Sequence, residues 1–263
     1  MAAWNNINAV FDSKAPAWES KGRRVPVSGD DCPLDSYLSS TIKGDSVVVD
    51  IGCGDGKALR KIARTWPRGT AILIDASSGM VTIAKRELDN ISGIRVIAIR
   101  ADAARSPLPN SCADVVLLRQ VLQHVSVPQD VVREAARLAR PGGKVLIQVP
   151  GPDYLSDWDE FVSHSADAIG RFSREELHGL FARAGLQATV TAHQFTFGFS
   201  DIGDGLNFFA NVSLIDKLAD YDPSAETIIK RLLAKRMFRG LLSAGVHRDF
   251  TVRGEYLFGI GVK

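Results

Sequence analysis

Between residues 46 and 149 the chain alternates short apolar runs with amphipathic stretches. Ser46–Ile51 reads Ser-Val-Val-Val-Asp-Ile, a β-branched run that follows the turn-like Lys43-Gly44-Asp45 and enters a glycine cluster, with helical spacing resuming over Lys57–Thr65. Ala71–Ile74 is apolar and stops at Asp75, a helix is predicted over about Ser78–Leu88, and Ile94–Ile99 gives a third strand leading to Asp102. Asp114–Leu118 precedes a short helix and then a longer one over Asp130–Ala139, and Lys144–Val149 follows the turn Arg140-Pro141-Gly142-Gly143. These runs are too continuous for half-exposed strands, and each is separated from the next by a predicted helical segment. The pattern predicts a doubly wound α/β fold, a mostly parallel sheet covered on both faces.

Past Pro150 the pattern changes. A polar, aromatic-bearing link leads to a helix predicted from about Arg174 to Ala184, which Gly185 can cap. Leu186–Phe197 and Asp249–Val262 are rich in Val, Thr, Phe and Tyr and are predicted to pair antiparallel at the sheet edge. The stretch between them reads as helical: Leu206–Leu218, then Glu226–Leu242, where Ile228, Ile229, Leu232, Leu233, Phe238 and Leu241 recur at helical spacing. Three regions are expected: an N-terminal flank or lid over 1–44, an α/β core over 45–200 and 248–263, and a helical insertion over 201–247 that caps the substrate side.

At 263 residues the chain suits one elaborated domain, and its 32 Lys and Arg nearly cancel its 30 Asp and Glu. No global field of the kind a nucleic-acid binder presents is therefore expected, and nucleic acid is disfavoured as a partner. The basic residues of the 226–242 helix read as a solvated face opposite an apolar stripe, with contact to an acidic partner, a membrane surface or RNA as the alternative. The longest apolar runs fall far short of the roughly 18 residues that span a bilayer, so no membrane insertion is expected. The start, Met-Ala-Ala-Trp-Asn-Asn, lacks the features of a secretory signal. Cys32, Cys53 and Cys112 form no CxxC pair, which fits a reducing, cytoplasmic setting. His164, His178, His193 and His247 show no ligand spacing, and no metal site is expected.

The chemistry concentrates at Val47-Val48-Val49-Asp50-Ile51-Gly52-Cys53-Gly54-Asp55-Gly56. Glycines at alternate positions let backbone pass close to a ligand at a helix N-terminus, and Asp50 can accept hydrogen bonds from an amino group. The spacing is GxGxG, whereas the dinucleotide fingerprint is GxGxxG, and Lys57 stands where its third glycine would be. A nicotinamide oxidoreductase is thus the lesser enzyme reading. Asp75, nineteen residues after Gly56 at the end of the next strand, is positioned for the two hydroxyls of a ribose. The alternative for Asp75 and for Asp102 is a helix N-cap.

With these blocks, and with Ile-Leu-Ile-Asp75-Ala-Ser-Ser-Gly-Met80, Arg100-Ala-Asp102-Ala103, DVVLLRQVLQHV and Leu138-Ala-Arg-Pro-Gly-Gly-Lys-Val-Leu, the sequence resembles the class I S-adenosylmethionine-dependent methyltransferases, in particular their small-molecule group. The resemblance covers about Ser46–Val149 and implies a seven-stranded sheet with S-adenosylmethionine as methyl donor. It implies that Asp50 and the backbone of Gly52, Cys53, Gly54 and Gly56 hold the methionine part. Asp75 and Ala76 would take the ribose, Asp102, Ala103 and Met80 the adenine, and the backbone near Leu118 and Arg119 the donor's amino-acid end. The run Phe11-Asp12-Ser13-Lys14-Ala15-Pro16-Ala17-Trp18 resembles the family's lid.

The expected reaction is in-line methyl transfer to a small-molecule acceptor, with oxygen or nitrogen favoured over carbon. A methyltransferase-like subunit without turnover is the alternative from another class. His124 follows the fourth strand and is either a general base or a packed histidine. Gln120 and Gln123 border the substrate in this reading, and Tyr154 and Trp158 are the pocket candidates after the fifth strand. Phe161, Phe195, Phe197, Phe199, Phe208 and Phe209 are either a substrate wall or core under the cap. Cys53 reads as an inert small residue in the turn.

Overall fold

The computed structural model describes residues 33–158, 170–201 and 248–263, together with Asp12, Asp204, Gly205, Arg239 and Gly245. The flank before residue 33 other than Asp12, the predicted helix Leu206–Leu218, the predicted helix Glu226–Leu242 other than Arg239, His164 and His247 lie outside the described residues, as does the side chain of Trp158.

The elements run α1 (Pro33–Thr41), β1 (Ser46–Ile51), α2 (Lys57–Ile62), β2 (Gly69–Asp75), α3 (Ser78–Asp89), β3 (Ile94–Arg100), β4 (Ala113–Arg119), α4 (Pro128–Leu138), β5 (Ala139–Pro150), α5 (Arg174–Arg183), β6 (Gln187–Asp201) and β7 (Arg248–Val262). They build one seven-stranded sheet in the order β3-β2-β1-β4-β5-β7-β6. β1 to β5 are parallel, and β7 enters antiparallel between β5 and β6. The expected doubly wound, mostly parallel sheet is therefore present. Strand order reverses between β1 and β4, and in such sheets the crevice beyond the carboxyl ends of the strands at the reversal is where a ligand binds.

Alternation within β1 divides the core. Val49 and Ile51 face a cluster made with Val131, Val132, Ala135 and Leu138 of α4 and Leu177, Leu180 and Phe181 of α5. Val48 faces the opposite cluster, made with Leu34 and Leu38 of α1, Leu59 and Ile62 of α2, Ala84 and Leu88 of α3, and Trp66. Residues 33–41, read from sequence as part of the flank, thus pack directly on the sheet. On the other face Phe181 lies flat on β7, where a Cβ at Gly259 would come within 2.4 Å of its ring.

A helix expected between the third and fourth strands is absent: residues 101–112 connect β3 to β4 without one. Pro107 and Pro109 withhold backbone donors there and Ser111 takes a left-handed φ of 55°. Side chains of α4 supply the order instead. Glu134, 6% exposed, accepts from the Ser106 amide (2.8 Å) and hydroxyl (2.6 Å) and from Arg137 Nε (2.7 Å). Arg137 in turn donates to the Leu108 carbonyl at 2.8 Å and to Asn110 Oδ1 at 2.7 Å. The Pro-Gly-Gly segment is a fold-out within β5, since Ala139 pairs with Ala113 and Lys144 with Val115. Gly142 N donates to the Lys263 carbonyl (2.8 Å) and Lys263 N to the Gly143 carbonyl (3.1 Å), which pins it.

β6 and β7 are each 15 residues long, but only Tyr256–Val262 of β7 pairs with β5. The remainder projects past the carboxyl ends of the parallel strands as a two-stranded ribbon. A bare ribbon is marginal in water and requires a packed face. Here Phe195, Phe197 and Phe199, opposite Gly254, Val252 and Phe250, are all buried. The segment after β5 straps across it: Leu155 N donates to the Arg253 carbonyl (3.0 Å), and Arg253 N and Nε donate to Asp157 at 2.7 Å.

Replacing Glu134 with Ala leaves the buried Ser106 amide without its acceptor and removes the carboxylate that holds Arg137, and is expected to cost about 1–3 kcal/mol of stability. Urea unfolding with an unchanged m-value measures it; a loss below about 0.5 kcal/mol would remove this clamp from the account.

Candidate active site

After Ile51 the chain turns through three left-handed glycines, with φ of 67° at Gly52, 53° at Gly54 and 73° at Gly56. Two of them also permit close packing. A Cβ at Gly52 would lie 2.5 Å from Val121 Cγ2, beyond the end of β4, and one at Gly56 would lie 2.7 Å from Leu88 Cδ1 of α3. Gly54 differs, because a Cβ there would meet nothing within 4 Å. Its backbone therefore borders open space at the crevice, the geometry needed for a ligand to approach the main chain. Cys53 is buried between them, and burial together with the charges of Asp50 and Asp75 holds its thiol far above the ordinary range, so it carries no thiolate.

Asp75 ends β2 with both oxygens engaged: Gly54 N donates to Oδ2 at 3.0 Å and Ser77 N to Oδ1 at 2.9 Å. Burial raises its pKa, opposed by these backbone bonds. Each carboxylate oxygen keeps a further lone pair for a ligand hydroxyl. The N-cap of α3 is Ser77 rather than Asp75, accepting from Met80 N at 3.2 Å, and Met80 is buried directly behind. Asp12, part of the run that resembles the lid but not singled out there, reaches this helix end: its Oδ1 accepts from Ser77 Oγ at 2.6 Å and Gly79 N at 3.1 Å. The Ser77 bond is the largest cause of its lowered pKa. Asp102 follows β3 next to β2, where Ala101 N donates to the Asp75 carbonyl at 3.0 Å. It is exposed, with Oδ1 accepting from Ala104 N at 2.8 Å, and Ala103 is half-buried beside it. Ala76 accepts from Arg100 Nε at 3.1 Å through its carbonyl.

On the other side of Gly54, Asp50 is 1% exposed and its Oδ2 has no hydrogen-bond partner. Burial pushes its carboxyl up to about 8, with Arg119 opposing and Asp75 and Asp55 adding to the rise. An orphaned buried oxygen is costly, and a ligand donor would satisfy it. Leu118 is fully buried, while Arg119, at the end of β4, lies opposite Gln148 of β5. Gln120 takes a left-handed φ of 58°, its N donating to the Gln148 carbonyl at 2.9 Å. Gln123 Nε2 donates to Gln120 Oε1 at 2.9 Å, leaving Gln120 Nε2 and Gln123 Oε1 buried without a partner, as is Gln148 Oε1. Exchanging N and O in both amides of the Gln120–Gln123 pair leaves the same count, one unused amide nitrogen and one unused carbonyl. Gln148 was missed from sequence, although a lone amide inside Val145-Leu-Ile-Gln-Val149 was its signal.

His124 ends the 3₁₀ turn Leu122–His124, half-buried, its N donating to the Val121 carbonyl at 2.9 Å. Tyr154 is buried against the ribbon, 5.4 Å from Tyr256 and 6.2 Å from Phe197 between ring centroids. Alternation along β6 and β7 puts Tyr256, Phe195 and Phe197 on the sheet face that carries Asp50, Arg119 and Gln148. The chain thus brings an open glycine backbone, two buried carboxyls, unused amides and an aromatic wall to one end of the sheet. Among the described residues no group of three His, Cys, Asp or Glu could hold a metal ion.

Comparison with known proteins agrees with this geometry. Residues 49–147 match the family described as methyltransferase domain. The chain is 28% identical over 139 residues to the malonyl-[acyl-carrier protein] O-methyltransferase of Hahella chejuensis, covering 52% of this chain and 44% of that protein. It is 32% identical over 110 residues to the ubiquinone/menaquinone biosynthesis C-methyltransferase UbiE of Ectopseudomonas mendocina, covering 41% and 43%. The chain therefore spans less than half the length of these curated relatives. The solved structure of Haemonchus contortus phosphoethanolamine N-methyltransferase 2 with S-adenosyl-L-methionine superposes with a TM-score of 0.60 at 17% identity, covering 100% of this chain and 60% of that one. Residues 49–147 thus carry a methyltransferase domain match, on a fold shared with the solved methyltransferase structure.

Two outcomes follow from the local geometry. Gly54→Ala introduces no clash within the protein, so it should cost only the left-handed strain of about 1–2 kcal/mol while obstructing the crevice, whereas Gly52→Ala adds the overlap with Val121. Thermal melts and S-adenosylhomocysteine titrations of both variants check this. A Gly54→Ala protein that binds as tightly as wild type would show that the backbone there is not approached.

Asp50 gives a pH dependence with a definite sign. Its pKa is raised on folding from near 4 to about 8, so the folded state holds the extra proton in that window. The ligand-free protein should lose stability as pH rises from about 4 to about 8, by at most about 1.4 kcal/mol per pH unit from this group. Denaturant unfolding of wild type against Asp50→Asn across this range isolates the effect, since Asn does not titrate; parallel profiles would contradict it.

Proposed function

We propose that this protein transfers the methyl group of S-adenosylmethionine to an oxygen or nitrogen of a small-molecule acceptor by in-line displacement. The observation that carries the reading is the trio formed by the open Gly54 backbone, the orphaned Asp50 oxygen and Asp75 at the end of β2, on opposite sides of one crevice. These residues fit the donor group by group: Asp50 for the ammonium of its amino-acid end, the glycine backbone for the atoms between, Asp75 for the ribose hydroxyls, and Met80, Asp102 and Ala103 around the adenine.

The donor supplies a methyl group already activated by a positive sulfur. The protein's part is alignment and exclusion of water, both of which lower the barrier without new covalent chemistry. The acceptor in this reading lies beyond β4 and β5, bordered by Gln120, Gln123 and the aromatic face of Tyr154, Tyr256 and the ribbon, with the 201–247 insertion as its cap and Trp158 as a further contact. His124 removes the acceptor's proton. Carbon is the further option for the receiving atom, because relatives named for both O- and C-methylation match the same region. Nucleic acid has no support in the near-balanced charge of the chain.

Incubating the protein with methyl-labelled S-adenosylmethionine and a low-mass metabolite extract tests the reading. Label should appear in a small organic product, and a protein that binds donor yet labels nothing would favour a subunit without turnover. His124→Ala should lower turnover by about a hundredfold while leaving S-adenosylhomocysteine affinity unchanged. An effect below threefold would return His124 to a packing role.

A further inference from the structure

Asp12 reaches the start of α3 from the flank, and methyl transfer as proposed gives it no task. It meets the chain at Ser77, 65 residues away, where the segment after β2 turns into α3. Ser77 is 1% exposed, so its polar groups must be satisfied within the protein. All four are engaged. Its N donates to Asp75 Oδ1 at 2.9 Å, and its carbonyl accepts from Val81 N at 3.1 Å. Its Oγ accepts from Met80 N at 3.2 Å and donates to Asp12 Oδ1 at 2.6 Å. A backbone N can only donate and an ionised carboxylate can only accept, so the direction of both hydroxyl bonds is fixed. The hydroxyl hydrogen is thereby committed to Asp12, and the backbone N–H of Ser77 is what meets Asp75.

Asp12 also holds more than Ser77. Its Oδ1 accepts from Gly79 N at 3.1 Å and lies 3.4 Å from Ser78 Oγ, so one carboxylate oxygen gathers the first turn of α3, where a negative charge is favoured. The Ser77 and Gly79 bonds, with the charge of Arg100, keep Asp12 ionised, and Arg100 Nε is itself fixed on the Ala76 carbonyl at 3.1 Å. Charge and geometry then act on Asp75 in opposite senses. Burial raises the Asp75 pKa and the negative charge of Asp12 adds to the rise, which works against Asp75 as an acceptor. The hydrogen bonds of Asp12 work the other way, because they fix the residue whose N–H sets one Asp75 oxygen, as Gly54 N sets the other at 3.0 Å. Those two N–H groups determine which way the remaining lone pairs of the carboxylate face.

We propose that Asp12 is a positioning residue for the donor's ribose: through Ser77 it fixes the orientation in which Asp75 takes the ribose hydroxyls. This rests on Asp75 taking the ribose, as proposed above. It makes the amino-terminal flank a determinant of donor affinity, with a residue distant in sequence setting the grip on one part of the donor and leaving the other parts unchanged.

Calorimetric titration with S-adenosylhomocysteine and its 2′,3′-dideoxyribose analogue, which lacks both ribose hydroxyls, tests it. Wild type should prefer S-adenosylhomocysteine by roughly 10- to 100-fold, the range of a charge-assisted bond. Asp12→Ala should cut that preference at least threefold while binding the dideoxy analogue within twofold of wild type, which also reports an intact fold. Asp12→Asn keeps an acceptor oxygen for Ser77 and Gly79 but removes the charge, and should retain the preference to within threefold of wild type and above Asp12→Ala. Ser77→Ala removes the link, so adding Asp12→Ala to it should change the preference by less than twofold.

An unchanged preference in Asp12→Ala would overturn the proposal, and equal losses on both ligands would overturn it in favour of a structural role. Asp12→Asn no better than Asp12→Ala would overturn the hold by hydrogen bonds. A full Asp12→Ala effect in the Ser77→Ala background would show that Asp12 does not act through Ser77. Equal wild-type affinity for the two ligands would instead sink the ribose assignment of Asp75, and this inference with it.

Discussion

Close backbone approach at the end of β1 is the constraint from which the rest of the site follows. Gly52 lets the chain pass against Val121, and Gly56 lets the start of α2 sit against Leu88 of α3. Between these two contacts, Gly54 borders open space beyond the end of β1, where strand order reverses. A side chain at either flanking position would overlap Val121 or Leu88 and force the segment after β4 or α3 to shift. The left-handed φ values are therefore less a local turn preference than the means by which two neighbouring units reach packing distance.

That packing also dries the crevice, and drying sets its electrostatics. Asp50 and Asp75 are both pushed upward by burial, yet they are held differently. Asp75 receives two backbone N–H groups and is pre-shaped for a neutral partner such as a pair of hydroxyls. Asp50 keeps an oxygen with no donor, so its best partner is a cation brought in by the ligand. Two carboxyls in one small region thus differ by their hydrogen bonding rather than by their chemistry.

The periphery is held by side-chain clamps instead of regular structure. Glu134 and Arg137 order a connection in which prolines prevent a helix, and Asp157 with Arg253 straps the segment after β5 to the projecting ribbon. These clamps matter to the site because both segments border the crevice. Asp12 does the same at α3, where it accepts from Ser77 and Gly79, next to Asp75.

The sequence by itself determined the sheet, the glycine loop and the residues at strand ends, because those depend on local pattern: continuous apolar runs, glycines at alternate positions, and acids where such runs stop. Asp50, Asp75 and Asp102 were legible for that reason, as was the pairing of the two late strands. The helix expected between β3 and β4 was not there, since helical spacing says nothing about a carboxylate on a distant helix that can satisfy an irregular loop. Only the tertiary structure could show that Ser77 caps α3 in place of Asp75, that Asp12 reaches the site from the amino-terminal side, and that Gln148 holds an unused amide there. It also decided which of the three glycines faces open space. Long-range hydrogen bonds and cross-strand register leave no periodic trace along the chain, so partners separated by dozens of residues become visible only once the sheet has set the distances between them.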